Sequence, residues 1–187
     1  EQATKEQRVK AGQAVDLLPD IIIRESDLLD HDIVTSIQPG HKHLRLSNGT
    51  PNIGDGPLYA RGLGNGGGLG GGQTQDVNQR IYRDDGTFWE RLAGKFVFHQ
   101  FHDHIHVEDW CTYRLREVLP GNGVGAIVAT GGKTSFCILD LDIYDTQLPN
   151  FDPDGRFFSC GNTVQGLSVG WADIYSKDLE GQNIDIT

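Results

Sequence analysis

Short stretches in which apolar and polar residues alternate, separated by turn signals, dominate this chain. From residue 17 onward the sequence favours strands, and the turn dipeptides Asn48-Gly49 and Asp55-Gly56 divide it into strand-length pieces. Residues 96–115 alternate at a period near two, which predicts the central strands, and the apolar residues 133–145 are also β-prone. We therefore predict an all-β fold with a twisted β-sandwich-like core, long glycine-rich loops and few short helices.

Two segments stand apart from this pattern. Residues 1–16 are polar and charge-rich, which predicts an N-terminal arm followed by one domain over residues 17–187. The stretch GLGNGGGLGGG, residues 62–72, is too rich in glycine to pack a core and is predicted to be a flexible loop. It contains a G-x-G-x-x-G spacing, but no helical pattern follows to bind an anion, so we reject a nucleotide site.

The charge of the chain narrows the possible partners. With 26 acidic and 16 basic residues the formal net charge is −10, which disfavours nucleic acids and anionic membranes. Cationic amines or lysine-containing proteins are favoured, although many proteins are acidic for solubility alone. No run approaches the roughly 20 apolar residues of a membrane span. The sequence contains no methionine, which indicates a processed or trimmed N-terminus.

Four histidines fall within the eight residues HQFHDHIH, at positions 99, 102, 104 and 106. On a strand, His102, His104 and His106 project from one face and are candidate ligands of a metal ion, with His99 in a supporting position. Imidazole suits copper, zinc, iron and nickel, so the ligand type alone leaves the metal open. The alternative is a polar strand face that binds nothing. The nearby carboxylates of Asp103, Glu108 and Asp109 could orient the imidazole rings.

Three segments of the sequence resemble segments of the lysyl oxidase family. FHQFHDHIHVEDW resembles its copper motif, GGKTSFCILD the segment with its cofactor lysine, and SCGNTVQGLSVGWADIYSKDLEGQNIDIT the segment with its cofactor tyrosine. The upstream pieces LPDIII, GPLYARG and DGTFWERLAG are similar to bacterial members. The resemblance covers most of residues 17–187 and implies a bacterial-type lysyl oxidase-like domain that binds copper.

The resemblance also implies a cofactor made from the chain itself. Lys133 and Tyr175 would cross-link into lysine tyrosylquinone, and the enzyme would use oxygen to deaminate peptidyl lysine or other primary amines. The products would be an aldehyde, ammonia and hydrogen peroxide. Asp173 is a candidate for the base that takes a proton from the substrate; a turn aspartate is the equal alternative.

Family resemblance further implies a disulfide between Cys137 and Cys160, with Cys111 outside it. A disulfide fits a secreted, extracellular, cell-surface or periplasmic protein. Two departures from the family are visible. Gly132 stands where the animal enzymes have a histidine, and the resemblance implies that the C-terminal strands of the family are missing after Thr187.

Two other functions remain open from the sequence. One is a secreted copper-binding structural or matrix protein that never forms the quinone. The other is a cupin-like metal oxygenase that uses the same histidines. Lys133 and Tyr175 have no role in the oxygenase, so their substitution discriminates it from an amine oxidase.

Overall fold

A computed structural model of the chain describes residues 12–64, 73–100 and 103–187, and almost all of its regular structure is β-strand. The all-β class with few short helices is confirmed, since the only helix among these described residues is α1 (Glu25–Leu28). The strands are β1 (Asp16–Leu17), β2 (His31–Val34), β3 (His43–Leu46), β4 (Asn48–Pro51), β5 (Leu58–Gly62), β6 (Thr74–Arg83), β7 (Phe88–His99), β8 (His104–Val107), β9 (Arg114–Leu119), β10 (Gly123–Thr130), β11 (Asp142–Ile143), β12 (Val164–Leu167), β13 (Trp171–Tyr175) and β14 (Asn183–Asp185).

Parts of two predictions lie outside the described residues. These parts are residues 1–11 of the predicted arm and residues 65–72 of the predicted glycine loop. At the end of the arm segment, Val15 is buried and β1 pairs with β6. No helix in the described segments is long and apolar enough to cross a membrane.

The chain divides into two compact units. Unit 1 comprises the described parts of residues 1–22, 51–107 and 137–173, and unit 2 comprises residues 23–50, 108–136 and 174–187.

Unit 1 is built on an antiparallel sheet with the strand order β12-β5-β6-β7-β8, and β1 pairs at the side of β6. Alternate residues of β6 are buried, as expected for a strand with one face against a core. Ala60, Val77, Phe96 and Ile105 form that core, one from each of four neighbouring strands. The sheet thereby fixes the hairpin of β7 and β8, which carries the histidines.

The apolar residues that follow β10 enter the interior without forming a long strand. Phe136, Cys137 and Ile138 are almost fully buried, and the predicted disulfide between Cys137 and Cys160 is confirmed. Asp140 is also buried, and its carboxylate accepts hydrogen bonds from three backbone amides and one hydroxyl, donated by Arg156, Phe157 and Ser168. These bonds satisfy the buried carboxylate oxygens of Asp140 and hold the segment in an irregular extended form.

Unit 2 contains the antiparallel sheet β14-β3-β2 and the hairpin of β9 and β10. The strand β10 lies inside a glycine-rich stretch, where Val124, Ile127 and Ala129 pair with residues of β9 through two register shifts. After β10 the chain passes through Gly131, and the amide of Gly131 donates to the carbonyl of Tyr113. This bond anchors the chain two residues before Lys133.

Candidate functional site

His104 and His106 point from the same face of β8. Their Nε2 atoms lie 2.9 Å apart, with one ring donating and the other accepting according to the tautomers. Two imidazole nitrogens bound to one ion at about 2 Å would lie about 3 Å apart. The two nitrogens therefore fit one metal ion, and imidazole is a common ligand of copper.

His99 belongs to the same histidine surface. It lies directly opposite His104 in the pairing of β7 with β8, so both side chains share one face of the sheet. Its ring stacks on His106, with centroids 4.8 Å apart and planes inclined by 25°. His106 is 1% exposed, so this stacking occurs at a buried ring.

The third predicted ligand, His102, lies outside the described residues. Among the described residues no three His, Cys, Asp or Glu side chains form a metal-binding group. Asp103, Glu108 and Asp109 are exposed, and their role in orienting the rings stays a prediction.

Unit 2 brings Lys133 and Tyr175 together. Lys133 Nζ lies 4.8 Å from the centroid of the Tyr175 ring and 4.7 Å from that of Phe136. The same ammonium group donates to the carbonyl of Glu180 at 3.4 Å. The primary amine of Lys133 thus lies over the face of the phenol ring of Tyr175.

Phe136 belongs to this cluster and was not predicted as a site residue from the sequence. It is fully buried and meets the Tyr175 ring edge-on, with centroids 4.8 Å apart and an angle of 83°. It also meets Tyr113 edge-on at 6.3 Å. Its position three residues after Lys133, on the same apolar segment, was the only signal in the sequence.

Tyr113 closes the cluster with a buried hydrogen bond. Its hydroxyl donates to Oε1 of Gln182 at 2.7 Å. Burial raises the pKa of Tyr113, because the phenolate would lose its hydration. Tyr113 is therefore a neutral hydrogen-bond donor at physiological pH.

Comparison with known proteins decides the family. The sequence matches the family model "Lysyl oxidase" over residues 86–187, more than half of the chain. The chain belongs to the lysyl oxidase family. It is 36% identical over 93 residues to lysyl oxidase homolog 3A of Danio rerio, a match that covers 49% of this chain and 11% of that protein.

Two human lysyl oxidase homologs show a similar likeness. Homolog 3 is 35% identical over 92 residues, covering 49% of this chain and 11% of that protein. Homolog 4 is 33% identical over 114 residues, covering 58% of this chain and 13% of that protein. The chain thus aligns with only a small part of each of these lysyl oxidase homologs.

All the predicted site residues fall within the segment that matches the lysyl oxidase family. Among them, Asp173 is 1% exposed and lies in β13, two residues before Tyr175, so it is a strand residue rather than a turn aspartate. Its role as a base stays a prediction.

Proposed function

We propose that this chain forms the catalytic part of a copper-dependent amine oxidase. It would convert the amine of peptidyl lysine, or another primary amine, into an aldehyde with release of ammonia and hydrogen peroxide. The observation that carries the proposal is the position of Lys133 Nζ, 4.8 Å from the centroid of the Tyr175 ring, in a member of the lysyl oxidase family.

His102, His104 and His106 would hold the copper ion. The 2.9 Å separation of two of their nitrogens supports this assignment, because it matches two ligands of one ion. When bound, copper supplies the redox chemistry that lets dioxygen oxidise a phenol ring.

Lys133 and Tyr175 would provide the atoms of the quinone cofactor. A bond forms between Nζ and a ring carbon, the ring gains one oxygen atom, and the two side chains together lose four hydrogen atoms. One dioxygen molecule supplies the ring oxygen and leaves its second atom as water, and another leaves as hydrogen peroxide. The residue types suit this reaction, since a neutral amine is a nucleophile and an oxidised phenol is an electrophile.

Substrate binding and proton transfer remain parts of the proposal. The net charge of −10 supports a cationic amine or a lysine-containing protein as the substrate, because opposite charge attracts it. Asp173 would accept the proton from the carbon next to the amine; its position in β13, two residues before Tyr175, supports this role.

The proposed location is outside the cell, at its surface or in the periplasm. The disulfide between Cys137 and Cys160 supports this location, because such bonds persist in oxidising compartments.

The test is the visible spectrum of copper-loaded protein before and after phenylhydrazine, which labels a quinone carbonyl. We expect an adduct band in the unmodified chain and in Lys42→Ala, which removes an exposed lysine of the same unit. The band should be absent from Lys133→Ala and Tyr175→Phe. Copper binding without any band would instead support a copper-binding structural protein. Full oxidation activity in both Lys133→Ala and Tyr175→Phe would overturn the proposal and support a metal oxygenase.

A further inference from the structure

A lysine side chain has four flexible bonds, so an unrestrained Nζ samples many positions. In unit 2 the Lys133 Nζ and the ring centroids of Phe136 and Tyr175 instead form a nearly equilateral triangle. Its sides are 4.7, 4.8 and 4.8 Å. The amine therefore occupies a corner formed by two rings at 83° to each other.

Phe136 is suited to hold that corner. Its ring is fully buried and is in edge-on contact with Tyr113 as well as Tyr175, so its orientation is fixed from two sides. The face of a benzene ring attracts an ammonium group without donating or accepting a proton. Phe136 can therefore keep Lys133 in place without binding its proton, which must leave before the neutral amine reacts.

Gly181 leaves room for the aliphatic stem of the same side chain. Its φ of +77° belongs to the left-handed region, and a Cβ there would lie 2.9 Å from Cδ and 3.2 Å from Cβ of Lys133. An alanine would therefore displace the aliphatic stem of the lysine. The preceding carbonyl, of Glu180, accepts the hydrogen bond from Nζ.

We infer that Phe136 and Gly181 are positioning residues for the cross-link, which hold the Lys133 amine over the Tyr175 ring before the bond forms. This inference rests on the proposed function, because it concerns the reaction of this pair. It assigns the two residues to cofactor assembly, and it gives neither of them a contact with the amine substrate.

The first experiment needs no copper. In labelled copper-free protein, ring currents should shift the ε-methylene protons of Lys133 upfield, with the resonance assigned by its loss in Lys133→Arg. Phe136→Leu and Gly181→Ala should each reduce the shift, and Phe136→Tyr should keep it. An unchanged resonance in both Phe136→Leu and Gly181→Ala would overturn the inference.

The second experiment measures the rate of cross-linking after copper and oxygen are added, by intact mass and peptide mapping. Phe136→Leu and Gly181→Ala should slow it about tenfold or more, since small displacements of reacting groups have effects of this size. Phe136→Tyr should restore a rate close to that of the unmodified chain. Wild-type rates in both slowed variants would contradict a positioning role.

Two control variants separate positioning from general damage. Gly40→Ala has a matching φ of +82° with open space around it, so it imposes the same backbone strain without touching a lysine. Phe157→Leu shortens another buried phenylalanine. Both should cross-link at the normal rate. If the unmodified chain never cross-links, the proposed function fails, whereas the resonance experiment still decides whether Phe136 and Gly181 hold Lys133.

Discussion

The ring of His99 stacks on that of His106, with centroids 4.8 Å apart, although the two residues are seven positions apart in the sequence. The pairing of β7 with β8 produces this contact, because it places His99 on the face that carries His104 and His106. The orientation of a metal-binding imidazole depends on such neighbours.

We therefore predict that His99→Ala weakens copper binding about tenfold to a hundredfold, the usual effect of losing a group that orients a ligand. His106→Ala should remove tight binding altogether. Calorimetric titration with copper at one fixed pH measures both, with His31→Ala, an exposed histidine, as the control. Equal losses in His99→Ala and His106→Ala would show that His99 is itself a ligand.

Replacing Cys137 and Cys160 together by alanine should lower the free energy of unfolding by about 2–4 kcal/mol. The bond closes a loop with a sequence separation of 23, and its loss frees the unfolded chain. Urea unfolding at neutral pH measures the change. The Cys111→Ala variant is the control, because Cys111 lies outside the disulfide; a similar loss there would point to general destabilisation instead.

The raised pKa of Tyr113 predicts alkaline sensitivity. Unfolding exposes a phenol with an ordinary pKa of about 10, whereas the folded protein keeps its proton. Stability from this group is therefore complete below about pH 10 and decreases as the pH rises further. Tyr113→Phe removes the hydrogen bond to Gln182 and should lower the free energy of unfolding by about 1 kcal/mol at pH 7. In this variant the free energy of unfolding should also decrease less steeply as the pH rises above about 10.

Unfolding curves between pH 7 and 11 check this prediction. Tyr144→Phe removes a more exposed tyrosine and should leave the slope unchanged. An identical slope in Tyr113→Phe and the unmodified protein would refute the assignment.

Glu90 should contribute stability against acid. Hydrogen bonds from the guanidinium of Arg61, together with Asn78 and Arg80, lower its pKa from 4.5 to about 2. Because the folded pKa is depressed, this stability is present above pH 4.5 and is lost as the pH falls towards 2. We expect Glu90→Gln to lower the free energy of unfolding by about 1–3 kcal/mol at pH 7. In this variant the free energy of unfolding should also decrease less steeply as the pH falls below 4.5.

Acid unfolding followed by circular dichroism measures this loss of stability. The exposed Glu117 provides the matched variant Glu117→Gln, which should behave like the unmodified protein. If Glu90→Gln loses stability in acid as steeply as the unmodified chain, another carboxylate controls the transition.

Alternation along the sequence predicted the strands of the histidine hairpin, because one face of β8 is polar and the other is apolar. It failed for residues 133–141, which form no long strand; the hydrogen bonds to Asp140 and the disulfide of Cys137 hold this segment instead. It also gave no warning of β10, since glycines obscure the alternation of Val124, Ile127 and Ala129.

Lys133 and Tyr175 were predicted as a pair from family resemblance alone. Periodicity could not have joined them, because the contact depends on how distant segments of unit 2 fold together. Phe136 and Gly181 were missed for the same reason. A buried phenylalanine and a turn glycine are common in any fold, and only the folded chain brings these two together around one lysine.

The chain leaves unit 2 after Phe136 and returns to it at Ile174, and residues 141–150 of the segment between them are mostly exposed to proteases. In a chain whose Lys133 is bonded to Tyr175, a single cut in this portion leaves the two fragments joined even after the disulfide is reduced. In a chain without that bond, the same cut yields two separate peptides under reducing conditions. Limited proteolysis therefore reads out the maturation state of each molecule on a denaturing gel, independently of colour or activity.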